Sequence, residues 1–369
     1  MGIRIPMVKI GAELSEIDPP ALIIDLDAME ANIETMARFF RSAPAELRPH
    51  EKTHKCPIIA HKQIEAGAIG ITCAKLGEAE VMVQAGIKDV LIANQVVGEP
   101  KVTRLVNLAK HSDVIVAVDS SENVRHIAES ARRKGVRLNT LVEVDVGNNR
   151  CGKAPGEPSL EIAREVAGHP NLKLRGLMGY EGFCQNIRSI DERREKANEA
   201  MGKLVSTRDL LVDKGMDVEI VSAGGTGTYM ITGMYPGVTE VEAGSYVFMD
   251  AAYRKVEGLE KFGYALTVLA TITSLPKPGV AICDAGLKTV TTEHGLPLVR
   301  GIEGAEYERP SEEHGKLKVE PDSDLKIGDK IELVVTHCCT NANLYDSFHC
   351  VRDGKLEAIW SIAARGRSQ

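Results

Sequence analysis

A (β/α)8 barrel followed by an all-β domain, an α/β fold of two domains, is the fold class that the sequence predicts. Three observations carry it. Residues 46–250 alternate short β-branched runs with amphipathic stretches of helical period. The runs number eight, which suits a closed barrel better than a doubly wound sheet. Beyond residue 262 the chain reads as strands punctuated by tight turns.

The elements follow in order. "ALIIDLDAMEANIETMARFF" (21–40) gives one strand and one helix ahead of the barrel, and that strand is expected to join the β domain. The eight barrel strands are "ELRPHEK" (46–52), "GITCA" (70–74), "VLIAN" (90–94), "VIVAVD" (114–119), "TLVEVDV" (140–146), "LRGLMGY" (174–180), "VEIVSAG" (218–224) and "VTEVEAGSY" (238–246). Helical stretches such as "SENVRHIAESARRKG" separate them; this one has Ser120 or Ser121 to cap it and Gly135 to stop it. In the last third, "YALTVLATITSLP", "GVAICDAG", "IGDKIELVVTH" and "SFHCVRDGKLEAIWSI" are strands joined at "KPG", "IGD" and "RDGK". The expected divisions are 1–27 (a segment packing with the β domain), 28–255 (the barrel) and 256–369 (the β domain).

Composition narrows the function. The 369 residues carry a formal net charge of −7, with no basic arm, which argues against a nucleic-acid partner. No apolar run reaches the ~18 residues of a membrane span, and the opening lacks an apolar signal segment. We expect a cytoplasmic protein with a small-molecule substrate. Eight cysteines occur without a CxxC pair, so they are expected to be reduced.

The chemistry collects where barrel strands end. In "ELRPHEKTHK", alternate residues Arg48, His50, Lys52 and His54 would share one face of a strand. Like charges crowded there would depress the lysine and make it a nucleophile suited to a Schiff base; a basic surface loop fits the same ten residues. After strands seven and eight come "SAGGTGT" (222–228) and "EAGSY" (242–246), where glycines and hydroxyls can approach an anion closely. The candidates are Gly225, Thr226, Gly227, Gly244, Ser245 and Tyr246. Arg150 and Tyr180 end strands five and six; Arg150 is an anion ligand or a surface cation, and Tyr180 and Tyr246 suit a flat ring or the core. A phosphate cup with a nucleophilic lysine inside a barrel suggests pyridoxal phosphate. Near the C-terminus, His337 and Cys339 lie two apart in "THCCTNANLYD", so an extended chain would aim both at one ion. On these residues alone a buried histidine beside inert core cysteines is the preferred reading.

The motifs "RPHEKTHK", "EVDVGNNRCG", "AGGTGT", "EAGSYVFMD", "CDAGLK", "EEHG" and the His-x-Cys before "NLYD" resemble one family over nearly the whole chain. It is the group of pyridoxal-phosphate enzymes that includes D-threonine aldolase, 3-hydroxy-D-aspartate aldolase and D-serine dehydratase, with an alanine racemase-like barrel. The resemblance implies that Lys52 holds the cofactor aldehyde, that Arg150 and Tyr180 flank the cofactor, and that Gly225, Thr226, Gly227, Gly244 and Ser245 cradle its phosphate; His50 and Tyr246 are expected to bind the cofactor as well. It implies that His337 and Cys339 hold a divalent metal (Zn, Mn or Mg) beside the β-hydroxyl of a D-amino acid, and that the enzyme is a homodimer.

Two departures from the family pattern stand out. The aldolases usually have aspartate where this chain has Cys339, whereas the dehydratases have cysteine. Asn186 occupies the place of an aldolase histidine base, and Glu181 is the substitute we expect. Retro-aldol cleavage of a D-3-hydroxy amino acid to glycine and an aldehyde is the expected reaction. Dehydration to a keto acid and ammonia is the alternative, with a non-catalytic cofactor carrier or a racemase further off.

Overall fold

The eight expected runs each form a strand, and all eight run parallel. In this computed structural model, which describes residues 8–369, strand β1 (Ala21–Asp25) and the helix Leu26–Phe40 come first. The barrel strands follow: β2 (Glu46–Leu47), β3 (Ile71–Cys73), β4 (Asp89–Gln95), β5 (Asp113–Val118), β6 (Leu138–Glu143), β7 (Leu172–Gly179), β8 (Ile220–Ala223) and β9 (Glu240–Val241). Each of β3 to β8 pairs in parallel with the next in sequence, and β9 returns to pair with β2. Past Leu47 the chain stays extended and closes the ring: Ile69 N–H donates to the Leu47 carbonyl and Thr72 N–H to that of Pro49, both at 2.9 Å, and His50 bridges Thr72. Closure leaves no open sheet edge.

The alternation of apolar residues along these strands fills the barrel. Leu91, Ile115, Ala117, Leu141, Met178 and Ile220 form one buried cluster. Ile115 and Ala117 are two apart on β5 and therefore point the same way. Helices on the outside obey the end signals. The helix Ser121–Lys134 starts where the Ser120 hydroxyl accepts from Asn123 N–H, and it stops at Gly135, whose φ of 64° is left-handed.

The second unit is a nine-stranded, mostly antiparallel sheet. It comprises β1, β10 (Leu266–Lys277), β11 (Val280–Cys283), β12 (Leu298–Arg300), β13 (Glu306–Pro310), β14 (Gly315–Lys318), β15 (Lys330–Val334), β16 (Ser347–Arg352) and β17 (Lys355–Ser361). In this sheet β1 lies between β10 and β16, antiparallel to the first and parallel to the second. Ile17, Ala21, Ile23, Leu269, Val351 and Leu356 make its core. The described chain from residue 8 to Asn32 belongs to this unit together with Val247–Lys255 and Glu260–Arg365; the barrel unit takes Ile33–Tyr246, Val256–Leu259 and Gly366–Gln369. Residues 1–7 of the expected N-terminal segment lie outside the described residues. No described helix is long and apolar enough to cross a membrane.

Candidate active site

In the barrel unit, the segment after β2 departs from the expected strand. Pairing stops at His50, because no partner strand extends further, and Glu51–Thr53 turn into a 3-10 helix. His50 caps that turn: its ring Nδ1 accepts from Lys52 N–H at 3.4 Å. Arg48, His50, Lys52 and His54 therefore do not form a column on one face. Nor are they four cations. Arg48 is buried, and Nε and Nη2 donate to both carboxylate oxygens of Glu240 at 3.0 and 3.1 Å while Nη1 meets Asp89. Burial holds His50 well below its ordinary value, with Lys52, Lys55 and His54 adding to the effect, and pushes His54 down to about 3 despite its bond to Gln63. Lys52 lies in the 3-10 turn just past the strand end.

What Lys52 faces is Tyr180. Its Nζ is 5.8 Å from the centre of that ring, and the Arg150 guanidinium carbon is 5.6 Å from the same centre. Arg150 also lies 3.9 Å from Glu143, which accepts a hydrogen bond from Gln95. Burial raises the Glu143 carboxyl, opposed by the Gln95 bond and the Arg150 charge.

The glycine loop after β8 is built by contact. A Cβ on Gly225 would come 2.6 Å from Gln185 Oε1, and one on Gly227 would overlap the Gln185 carbonyl oxygen. A Cβ on Gly244 would come 2.7 Å from Thr53 Oγ1. The N–H groups of Gly225 and Gly227 donate to Thr228 Oγ1 and Gln185 Oε1, so these glycines serve close approach rather than donation to a ligand. Thr226 Oγ1 accepts from Tyr246 N–H at 3.1 Å, which ties this loop to the Gly244–Tyr246 segment. Ser245 is buried there as well.

Two expected roles change. Glu181 is not placed to act as a base: it is fully buried, and its carboxylate accepts from Thr228 and Thr232 hydroxyls at 2.6 and 2.7 Å and from Gly224 N–H at 3.1 Å. A carboxylate saturated by donors fixes a loop instead of taking a proton. The Tyr246 ring is core, with its hydroxyl accepting from Gln63 at 2.9 Å, so it is not placed to flank a flat ligand. Asn186 is exposed.

In the β-domain unit, His337 follows β15 in an extended conformation and caps the helix Cys338–Ala342. Cys339 is inside that helix, so strand alternation is not what joins the pair. The capping turn does so, and the Cys339 thiol hydrogen-bonds the His337 ring. Asp250 Oδ2, fully buried and without a hydrogen-bond partner, faces His337 Nδ1 at 3.7 Å. Burial opposes charge on the ring, but Asp250 and Cys339 outweigh it and push His337 up to about 10. Cys338 is structural: fully buried, its thiol donates to the Met249 carbonyl. None of the eight cysteines is in a disulfide.

Residues 24–252 match the family described as "Alanine racemase, N-terminal domain", and residues 265–351 match the "Putative serine dehydratase domain". A 3-hydroxy-D-aspartate aldolase of Paracoccus denitrificans (strain Pd 1222) is 37% identical over 376 residues, covering 100% of this chain and 97% of its own. A D-threonine aldolase of Arthrobacter sp is 38% identical, covering 99% and 97%. The crystal structure of D-threonine aldolase from Filomicrobium marinum matches with a TM-score of 0.96 and 41% identity over 100% of both chains. The chain belongs to this aldolase family. It is a lyase. A D-threo-3-hydroxyaspartate dehydratase in metal-free form, a variant with cysteine replaced by alanine, is more distant: 27% identical, TM-score 0.87, covering 95% and 98%.

For this member of the aldolase family, sequence reasoning missed several residues at the candidate site. Gln95 and Glu143 sit on β4 and β6 beside Arg150, and only their place at strand ends marks them. Glu242, in the quoted "EAGSY", has its carboxyl pushed up to about 7, chiefly by burial, with the Ser222 hydrogen bond opposing. Asp250 is the last residue of the quoted "EAGSYVFMD", where no role was assigned to it. Glu293 and His294 carried no signal at all, yet the chain brings both to His337.

Proposed function

We propose that this lyase uses pyridoxal phosphate and a divalent metal to cleave a D-3-hydroxy amino acid into glycine and an aldehyde. The observation that carries the reading is the cluster of Lys52, Tyr180 and Arg150 in a barrel whose glycine loop after β8 admits no Cβ. These residues fit the cofactor: an amine for its aldehyde, an aromatic face and a cation for its ring, and a close-fitting cup for its phosphate. Pyridoxal phosphate supplies an electron sink for charge left at Cα.

In this reading Lys52 binds the aldehyde, and Tyr180 and Arg150 hold the ring against it. His50, kept neutral, orients the turn that carries Lys52. Gly225, Thr226, Gly227, Gly244 and Ser245 shape the phosphate cup, with the Tyr246 backbone fastening its two halves. Glu181 and Gln185 keep the loop in register. In the β domain, His337 with Cys339 offers an imidazole and a thiolate to Zn²⁺, Mn²⁺ or Mg²⁺, and Asp250 orients the imidazole from behind. A divalent ion there supplies the Lewis acidity that lowers a β-hydroxyl pKa. We further propose a cytoplasmic homodimer, as the family resemblance implies.

A second reading, dehydration of the same substrate class, is favoured by Cys339 where the aldolases carry aspartate and by Asn186 in place of a histidine. Lys52 would then remove the Cα proton. Product analysis with D-threonine, 3-hydroxy-D-aspartate and D-serine separates the two: glycine reports cleavage, ammonia with a keto acid reports dehydration. Neither product from any of the three would refute the reading.

A further inference from the structure

We propose that Glu143 is a positioning residue for Arg150: its ionised carboxylate holds the guanidinium over the face of Tyr180 and so sets how firmly the cofactor ring is gripped. This rests on the proposed pyridoxal phosphate site. Arg150 combines a fixed backbone with a loose side chain. Asp145 Oδ1 accepts from the N–H groups of Gly147 and Asn149, both at 3.0 Å, and Asp119 Oδ2 accepts from Gly152 N–H at 3.1 Å. Asn149, next to Arg150, has a left-handed φ of 51°, and a Cβ on Gly152 would come 2.7 Å from the Asp145 nitrogen. The loop closes on β6, where Lys153 N–H donates to the Glu143 carbonyl at 2.9 Å. These contacts fix the chain on either side of Arg150 but not its side chain, which is 54% exposed. An arginine side chain carries about 2 kcal/mol of rotamer entropy, so what the guanidinium meets has to set its direction. It meets the Tyr180 ring, 5.6 Å from the ring centre, and Glu143 Oε1, 3.9 Å from Nη2.

Glu143 is the fixed member of the pair. Its side chain is only 5% exposed, and Oε2 accepts from Gln95 at the end of β4. It lies two residues beyond Leu141 on β6, so it shares a face with a residue of the cluster that fills the barrel. The carboxylate therefore points inward at the C-terminal end of the barrel, the end that carries Lys52. A buried charge is kept where a countercharge meets it, and Arg150 supplies that charge. Charged and titratable groups face Glu143 from the loops after β5 and β6: Asp119, Asp145, Arg150 and Cys151. Burial, helped by Asp119 and Asp145, raises the carboxyl above its ordinary 4.5, while Gln95 and Arg150 hold it down. Glu143 thus becomes neutral at a higher pH than a solvated glutamate does, and below that pH its hold on the guanidinium is lost.

The test is a double-mutant cycle read as cofactor affinity against pH. Cofactor-free, full-length protein is titrated with pyridoxal phosphate by fluorescence, as wild type, Glu143→Gln, Arg150→Ala and the double variant. Glu143→Gln keeps the shape and can still accept from Gln95. At alkaline pH it should weaken binding about threefold to fivefold, the scale of an ion pair with one exposed partner. The gap should close as pH falls towards 4.5, where wild-type Glu143 is neutral too. In the Arg150→Ala background Glu143→Gln should have no effect, because the two residues act as a unit. An equal loss in that background shows that Glu143 works without Arg150 and overturns the proposal. A gap that stays constant with pH, or wild-type affinity in Glu143→Gln, overturns it as well. Should Glu143→Gln melt early, wild type and Arg150→Ala decide: their affinity ratio should shrink as pH falls, and a constant ratio overturns the proposal. Failure of the wild type to bind pyridoxal phosphate at any pH overturns the cofactor reading itself, and this inference with it.

Discussion

The Thr228 hydroxyl donates to Glu181 at 2.6 Å, joining residues 47 apart in sequence. Together with Thr232 and the Gly224 N–H, this makes Glu181 the anchor of the glycine loop. Glu181→Ala would leave three buried donors unsatisfied, at about 1–3 kcal/mol each. The expected result is a protein that unfolds several degrees earlier and retains cofactor poorly. Glu181→Ala with wild-type melting and cofactor content but no turnover would instead make Glu181 a catalytic base.

Lys52 is expected to be the residue that borohydride locks to the cofactor, located by mass spectrometry of the labelled peptide. Lys52→Ala should lose turnover altogether. Label on Lys55 would contradict the assignment, and the structure explains why Lys55 is an unsuitable amine: it is buried against Glu78.

Gly227→Ala tests the cup. The added methyl group overlaps the Gln185 carbonyl, so the loop must shift, at a cost of about 1–3 kcal/mol. Cofactor affinity should fall at least tenfold, measured by fluorescence titration. Equal affinity in wild type and variant would move the phosphate elsewhere.

Glu242 should make the cofactor-free protein sensitive to pH. Its carboxyl is raised from an ordinary 4.5 to about 7, mainly by burial, so the folded form holds its proton more tightly than the unfolded form. The favourable contribution is complete below pH 4.5 and is lost as pH rises through 7. Melting temperatures of wild type and Glu242→Gln, compared across that interval, should diverge in favour of the variant. Parallel curves would exclude the effect.

The barrel was legible because its strands are β-branched runs of regular spacing, and closure needs eight of them. The shortest were the least exact: β2 keeps two residues of an expected seven, since the extended chain turns at Glu51 once neighbours run out. That turn is why the supposed cationic column does not exist. Local pattern could bring Lys52, Tyr180 and Arg150 together because each follows the C-terminal end of a barrel strand. It could not show that Glu181 is enclosed, since Thr228 and Thr232 reach it from 47 and 51 residues away. Glu293 and His294 were invisible for the same reason: nothing in "TTEHGLP" refers to His337, and the approach depends on Thr336, Thr340 and Asn341.

The barrel has a seam. Where the first and last strands meet, each contributes two residues of regular ladder, and Arg48 clasps Glu240 across 192 residues of chain with Asp89 on its other side. Loop closure over such a span is slow and is rewarded late in folding. Losing one partner of a buried pair costs about 3–5 kcal/mol. Lys52 lies five residues beyond the end of β2, in the turn that the closing strand leads into, so its place depends on the hoop being fastened. Cofactor capture thus reports the completed ring rather than a partly assembled one.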